Sequence, residues 1–314
     1  MSQLTMNTLT KLTVALGALF TMAGTETPPV AKRLSVVATT PDLAALATAI
    51  GGDAVDVKAL AKPTEDPHFV DAKPSHIVTL NRADVLIDGG AELELGWLPS
   101  LLESARNDKI AAGAPGRISA SLGIRMLEVP TSFDRAKGDV HEKGNPHFML
   151  DPLNVRLIVA QIAEHFAKVD PASAALYQAN LKQFLATLDV KFAAWQKALE
   201  PFKGAKIVTY HKDFPYLAAR FNLNVVENLE PKPGIEPSPA HLAKVIGLMR
   251  AEKVRVILVQ PFQNRKTAET VARQTDAVVL DVAQQPGALK NTATYFDLMD
   301  SIVHTLATAL QEKK

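Results

Sequence analysis

The sequence has no cysteine among its 314 residues. Disulfide bonds, iron–sulfur clusters, cysteine-ligated zinc and thiol nucleophiles are therefore excluded. Any metal site in this chain has to be built from histidine, aspartate and glutamate, and eight histidines are available for it.

The chain also lacks an excess of charge of either sign. Lys and Arg number 34 against 33 Asp and Glu, which gives a formal net charge of +1. A nucleic-acid-binding protein usually carries a large basic excess, so no nucleic-acid partner is expected. Hydrophobic residues at 47% and charged residues at 21% are typical of a globular protein. The length predicts about two domains.

Long apolar runs are missing as well. Residues 1–24 contain a short apolar stretch after Lys11 and end in small residues. This stretch is too short for a membrane span of about 20 residues and is typical of a secretory signal peptide; a buried first helix is the alternative. Since no cysteine follows it for a lipid anchor, we expect a soluble protein exported to the periplasm.

Strands and helices alternate in both halves of the remaining chain, which predicts an α/β fold with parallel-rich sheets flanked by helices. The clearest predicted strands cover residues 34–40, 55–60 and 85–88 in the first half and 205–210, 254–260 and 277–282 in the second. We therefore expect an N-terminal lobe over residues 33–150 and a similar C-terminal lobe over residues 201–314.

Residues 151–200 are predicted to be linking helices. The longest of them, 171–200, is near 30 residues and would be about 45 Å long, which suggests a stiff spine between the lobes. Residues 131–146 are charged and have no apolar period, and they are expected to form a surface loop.

Three histidines occupy positions suited to binding. His68 and His147 each lie in a Pro-His-Phe segment, where proline restricts the backbone. His211 directly follows a predicted strand, and ligands of open α/β sheets bind beyond the carboxyl ends of strands. Asp281 lies near the end of another apolar strand, where a carboxylate needs a partner; capping of a turn is its alternative role. Three imidazoles and one carboxylate in the cleft between the lobes would suit Zn²⁺.

The other histidines are expected to be less important. His165 and His304 lie inside predicted helices, where a histidine is usually structural, and His76 and His241 lie near helix starts. His141 lies in the charged loop and is expected to be solvated.

Several segments resemble the zinc/manganese solute-binding proteins of ABC importers, the cluster A-I family with a rigid helical backbone. The matching segments are residues 66–87, 94–105, 144–152, 208–221 and 230–242. The resemblance implies two α/β lobes, one long joining helix, a metal between the lobes, and a transport protein rather than an enzyme.

The resemblance also implies the metal ligands, which fall on His68, His147, His211 and Asp281. Manganese-type members have a carboxylate at the third position, so His211 favours zinc. Many relatives have glutamate where this chain has Gln260, which leaves Asp281 as the expected carboxylate.

The resemblance therefore predicts a periplasmic component that captures Zn²⁺ and delivers it to an ABC permease in the inner membrane. It is expected to be a monomer, with a periplasmic metallochaperone as a further candidate partner. Metal is expected to order loop 131–146 more than it moves the lobes. A manganese carrier and a metal-dependent hydrolase are the alternatives, although no HExxH, GxSxG or Walker motif supports an enzyme.

Overall fold

The computed structural model describes residues 33–130, 141–232 and 234–312. From Arg33 onward the chain forms one compact unit. The predicted signal peptide and most of the predicted loop 131–146 lie outside the described residues. Within those residues, no helix is both long enough and apolar enough to cross a bilayer.

The first half forms a parallel four-stranded sheet in the order β2-β1-β3-β4. Its strands are β1 (Leu34–Ala38), β2 (Val55–Ala59), β3 (Val85–Asp88) and β4 (Arg117–Ser119). Its helices are α1 (Pro41–Gly51), α2 (Pro74–Asn81) and α3 (Leu98–Ala105). Each of these helices has proline in its first turn, where the missing N–H removes no helical hydrogen bond. The central strands are apolar runs because helices cover both faces of the sheet.

The second half repeats this arrangement in the order β6-β5-β7-β8. Its strands are β5 (Lys206–Thr209), β6 (Asn224–Asn228), β7 (Val256–Val259) and β8 (Val278–Asp281). Its helices are α6 (Pro215–Phe221), α7 (Pro239–Ala251), α8 (Arg265–Thr275) and α9 (Tyr295–Glu312). In both sheets the first strand lies between the second and the third. The connections to the second and third strands therefore run to opposite sides of the first strand, and a crevice opens at the carboxyl end of that first strand.

Two long helices connect the sheets. They are α4 (Pro152–Val169) and α5 (Ala174–Leu199), and α5 has 26 residues. Single 3₁₀ turns flank α5 on both sides, so the helical path runs from Pro171 to Phe202. The apolar side of α5 joins a core that also contains residues of both sheets, and it contributes Tyr177, Phe184, Leu188, Trp195 and Leu199.

The predicted fold class is confirmed: two parallel-sheet lobes are flanked by helices and joined by one long helix. The lobe boundaries remain predictions, because the core runs through both lobes without a break.

Polar contacts tie the two halves together near the crevice. The Tyr216 hydroxyl donates to the backbone oxygen of Asn145 at 2.8 Å and accepts from the backbone N–H of Leu127 at 2.9 Å. Arg220 makes a two-pronged ion pair with Asp151, with N···O distances of 2.7 and 2.8 Å. Such forked pairs fix direction as well as distance. The crevice is therefore lined by segments that are held in place from both sides.

Candidate metal centre

Three histidines from distant parts of the chain meet in the crevice. One ring nitrogen of each of His68, His147 and His211 lies within 4.8 Å of the others. The ring centroids of His68 and His147 are 5.1 Å apart, and that of His211 lies 5.8 Å from His68 and 5.5 Å from His147. The three side chains predicted from Pro-His-Phe and strand-end positions are thus brought together.

His68 lies on the loop between β2 and α2 and is oriented by Asp66. The Asp66 carboxylate accepts from the backbone N–H of His68 at 3.0 Å and from its ring Nδ1 at 2.8 Å. Trp97 anchors the loop by donating from its indole nitrogen to the backbone oxygen of Pro67 at 2.9 Å. The hydrogen bond and charge of His68 outweigh the effect of burial and lower the pKa of Asp66, so this carboxylate is an acceptor only.

His147 comes from the segment before α4, and a glutamine orients it. Gln284 donates from its amide nitrogen to the backbone oxygen of Asp213 at 2.6 Å, which turns its amide oxygen toward His147 Nδ1 at 3.2 Å. Nδ1 therefore carries the proton, and the lone pair of His147 lies on Nε2. This Nε2 atom is buried and has no hydrogen-bond partner among the described residues.

His211 follows β5 at the carboxyl end of the sheet. The Thr209 hydroxyl donates to its backbone oxygen at 2.7 Å, and its ring Nδ1 donates to the Glu230 carboxylate. Glu230 reaches this position because its backbone N–H donates to the oxygen of Tyr210 at 2.8 Å, which extends the pairing of β5 and β6. Adjacent strand ends thus supply the imidazole and the group that orients it.

The pKa values of His147 and His211 are shifted in opposite directions. Burial and the neighbouring His68 and His211 hold the pKa of His147 well below its usual range, so this ring is neutral. Burial also opposes the charged form of His211, but Asp213 and Glu230 outweigh it and raise the pKa of His211 to about 9. Burial raises the pKa of Asp213.

The arrangement fits a metal ion. In each of the three imidazoles, Nδ1 faces an acceptor on a side chain, which leaves Nε2 to face the common centre. Histidine ligands of protein-bound metals are held in this way by their second nitrogen. Buried polar atoms almost always have a partner, and a cation in the centre would supply one for Nε2 of His147.

Asp281 lies outside this cluster, contrary to its predicted place among the ligands. It ends β8, an edge strand, and its side chain is 50% exposed and paired with Arg265. Side chains alternate between the two faces of a strand, and Asp281 faces solvent. The residue after β8 that does reach a ligand is Gln284, three positions further on.

His141 is closer to the centre than expected for a solvated loop residue. Its Nε2 lies 3.2 Å from Nε2 of His68, and the two rings stack. Burial and the neighbouring His68 and His211 lower the pKa of His141 to about 4. The remaining histidines lie outside the cluster; for example, His165 Nδ1 faces the backbone oxygen of Pro115 at 2.9 Å and His241 Nε2 faces that of Asn228 at 3.0 Å.

The residues that orient the histidines were not singled out from the sequence. Asp66 and Glu230 do lie inside the segments that carry the family resemblance, and Asp66 is two positions from His68. Adjacency alone could therefore have suggested Asp66. Gln284 had no comparable indication, because glutamine is common in loops and its contact depends on the path of the chain after β8.

Comparison with known proteins identifies the family of this chain. A family model described as zinc-uptake complex component A, periplasmic (ZnuA) matches residues 36–309. The high-affinity zinc uptake system protein ZnuA of Bacillus subtilis (strain 168) is 25% identical over 276 residues, which are 83% of this chain and 82% of that protein. The iron-binding protein YfeA of Yersinia pestis is 26% identical over 282 residues, which are 88% of this chain and 86% of that protein.

A crystal structure of ZnuA has the same fold. It matches with a TM-score of 0.75 at 23% identity and covers 89% of this chain and 100% of that one. The family match begins in β1 and ends in α9, and so it takes in both sheets, the long helix and all three histidines. The chain therefore belongs to the ZnuA family of periplasmic zinc-uptake components.

Proposed function

We propose that this protein captures Zn²⁺ in the periplasm and delivers it to the permease of an ABC importer. The observation that carries the proposal is the convergence of three imidazole nitrogens, together with a buried Nε2 atom of His147 that has no hydrogen-bond partner in the described part of the chain. A set of donors held this way is prepared for a cation before the cation arrives. The bound ion is cargo, and no bond of a substrate is broken.

The donor chemistry supports zinc as the cargo. Imidazole nitrogen suits zinc and other borderline cations, whereas Mn²⁺ is better served by oxygen ligands. Iron and manganese are the competitors to test, because one relative is named as an iron-binding protein. The affinity for each metal measured separately does not show which metal the protein binds when several are present. Competition at defined free metal concentrations is therefore the informative measurement.

The proposal also covers the partners. An inner-membrane permease is the acceptor that an importer requires, and a periplasmic metallochaperone is a further candidate donor. The protein is proposed to work as a monomer, because His68, His147 and His211 of a single chain already meet at one centre.

The test is metal binding by a matched pair of variants. The protein is stripped with a chelator and reloaded with Zn²⁺ in the presence of excess Mn²⁺ or Fe²⁺, and bound metal is counted by mass spectrometry. We expect one zinc per chain. His147→Ala removes the buried ligand and should lower zinc affinity by orders of magnitude, while His165→Ala, which lies outside the cluster, should leave it unchanged.

Two results would overturn the proposal. One is retention of manganese or iron in preference to zinc by the wild-type protein. The other is an equal effect of the two substitutions, which would mean that the three-histidine cluster is not where zinc binds.

A further inference from the structure

A buried carboxylate lies against the three histidines. Asp213 is two residues beyond His211 and is 1% exposed. Its Oδ1 atom lies 3.9 Å from Nε2 of His147, the ring nitrogen for which the described residues provide no hydrogen-bond partner. The group of ligand atoms that all lie within 4.8 Å of one another contains the three histidines and not Asp213, so the carboxylate approaches the cluster from the side of His147.

Neutral amides hold the rest of this side chain. Gln263 donates to Oδ2 of Asp213 at 2.7 Å, and the side chain of Gln260 lies near the carboxylate and favours its charged form. Gln284 donates to the backbone oxygen of Asp213 at 2.6 Å. In the described part of the chain, no lysine or arginine lies within 4 Å of the carboxylate. The surroundings fix the position of Asp213, and the positive charge that acts on it in the metal-free protein is that of the protonated His211 ring.

A carboxylate in such a place is costly without a cation. Burying an ionised group is unfavourable unless it is paired, and amide hydrogen bonds compensate only in part. When a metal displaces the proton of His211, Asp213 loses this positive charge, and the three imidazoles, then all neutral, bring no negative charge to a dication. A divalent ion at the centre would meet both needs, because it would give Asp213 a positive counter-charge and Asp213 would give the ion a negative one.

We infer that Asp213 is the carboxylate of this metal site and that its Oδ1 atom completes the ligand set of His68, His147 and His211. The inference rests on the proposed zinc-binding function and refines it. Ligands about 2.0–2.1 Å from a tetrahedral zinc ion lie about 3.3 Å from one another, so the 3.9 Å distance to His147 is close to that of a ligand pair, and Asp213 has to move inward on metal binding to come as close to the other histidines. Asp281 then has no part in the site.

The inference gives a role to an otherwise unexplained set of glutamines. Gln260, Gln263 and Gln284 all contact Asp213, and Gln284 also orients His147. One amide thus connects two of the ligands. Gln260 cannot supply a charge to the metal, and its place beside Asp213 is that of a supporting group.

The test compares two aspartate-to-asparagine substitutions in the full mature protein. Asp213→Asn keeps the size of the side chain and removes its charge, and we expect zinc affinity to fall by about 100-fold or more, since groups that only orient a ligand already contribute 10–100-fold. Asp281→Asn is the matched control and should change nothing. Zinc affinity is measured by competition with a chromophoric chelator.

A second readout separates a ligand from a nearby charge. Co²⁺ replaces Zn²⁺, and its visible absorption reports the number and type of ligands. Asp213→Asn should change both the position and the intensity of the cobalt bands, while Asp281→Asn should give the wild-type spectrum. If Asp213→Asn does not fold, a crystal structure of the zinc-loaded wild-type protein decides, because a ligating Oδ1 lies about 2.0–2.2 Å from the ion.

The possible failures are distinguishable. If wild-type protein binds zinc tightly and Asp213→Asn matches it in affinity and cobalt spectrum, Asp213 is not a ligand and only this inference is lost. If the wild-type protein does not prefer zinc, the proposed function fails first. An Oδ1-to-zinc distance beyond 3 Å in the loaded crystal would also overturn the inference.

Discussion

Each imidazole of the metal centre is oriented by a different kind of acceptor. Asp66 and Glu230 are carboxylates, whereas Gln284 is a neutral amide that is itself held by the backbone of Asp213. A carboxylate behind a ligating histidine makes the ring a stronger donor, and a neutral amide orients it without that effect. The three nitrogens are therefore not equivalent, although they are chemically the same group.

Removal of one orienting group should weaken zinc binding without destroying the site. For Glu230→Gln we expect a 10–100-fold loss of zinc affinity, since His211 loses its charged acceptor but keeps its place after β5. Glu227→Gln is the matched control, because Glu227 lies on β6, three residues before Glu230, and pairs with Lys244 instead. Competition titrations measure both, and equal affinities would show that Glu230 does not act through His211.

Zinc binding should release a proton from His211. Since the pKa of this ring is raised to about 9, the metal-free protein at pH 7.5 carries the proton that zinc displaces from Nε2. Affinity should therefore rise by about tenfold per pH unit up to pH 9 and level off above it. Calorimetric titration in buffers of different ionisation enthalpy counts the protons; a count of zero at pH 7.5 would contradict this.

Glu94 should make the metal-free protein less stable as the pH rises. Burial and the nearby Asp88 raise its pKa to about 7 from the usual 4.5, although Thr39 and the N–H of Gly89 hydrogen-bond to it. Between these two values the folded state binds more protons than the unfolded state. The free energy of unfolding should fall across this range by roughly 1–3 kcal/mol.

Substitution tests the role of Glu94. Glu94→Gln should flatten the fall in stability between pH 4.5 and 7, whereas Glu103→Gln on the exposed side of α3 should not. Urea unfolding with a chelator present gives the stability at each pH. An unchanged slope in Glu94→Gln would assign the dependence to another group.

The long helix α5 is the element on which the core of both halves depends. Its apolar side chains recur at helical spacing and pack into a cluster that also holds residues of both sheets. Its other faces are polar and exposed, as expected for a helix that is buried along one stripe. Most of the stability of this helix therefore comes from packing rather than from its intrinsic propensity.

Two positions on α5 should differ sharply when shortened to alanine. Leu188 is 1% exposed, and Leu188→Ala should lower the free energy of unfolding by about 2–5 kcal/mol. Val190 is 72% exposed, and Val190→Ala should change it by less than about 0.5 kcal/mol. Chemical denaturation measures both, and similar losses would mean that α5 is not packed as described.

The sequence predicted the strands and helices better than it predicted which way individual side chains point. Strand ends placed His211 correctly because an apolar run followed by a polar residue marks the edge of a parallel sheet. The same reasoning failed for Asp281, since the end of a run does not say which face a side chain occupies. That depends on register, and at the edge strand β8 one face is open to solvent. Asp213 was overlooked because its burial depends on contacts with residues 50 or more positions away.

At the scale of the whole molecule, the halves are joined at several points around the crevice. Besides the shared core, Gln285 accepts from the backbone N–H of Asp42 at 3.0 Å, and Asp151 pairs with Arg220. A wide opening of the crevice would have to break these contacts together. We therefore expect metal to bind with little movement of one lobe against the other.

Spin labels can measure this directly, because the chain has no native cysteine to interfere. Glu103→Cys in the first half and Gln274→Cys in the second place exposed labels in separate lobes. The distance distribution between them should be the same with and without zinc. A shift of its main peak on zinc addition would show a hinge motion that the joined core does not predict.

The three histidines are contributed by the first half, by the segment before the linking helices, and by the second half. No fragment that ends before His211 holds the whole set, and the three residues meet only through the fold of both halves. Tight zinc binding is thus a property of the finished molecule alone. A cell that exports this chain unfolded would therefore load it only after translocation.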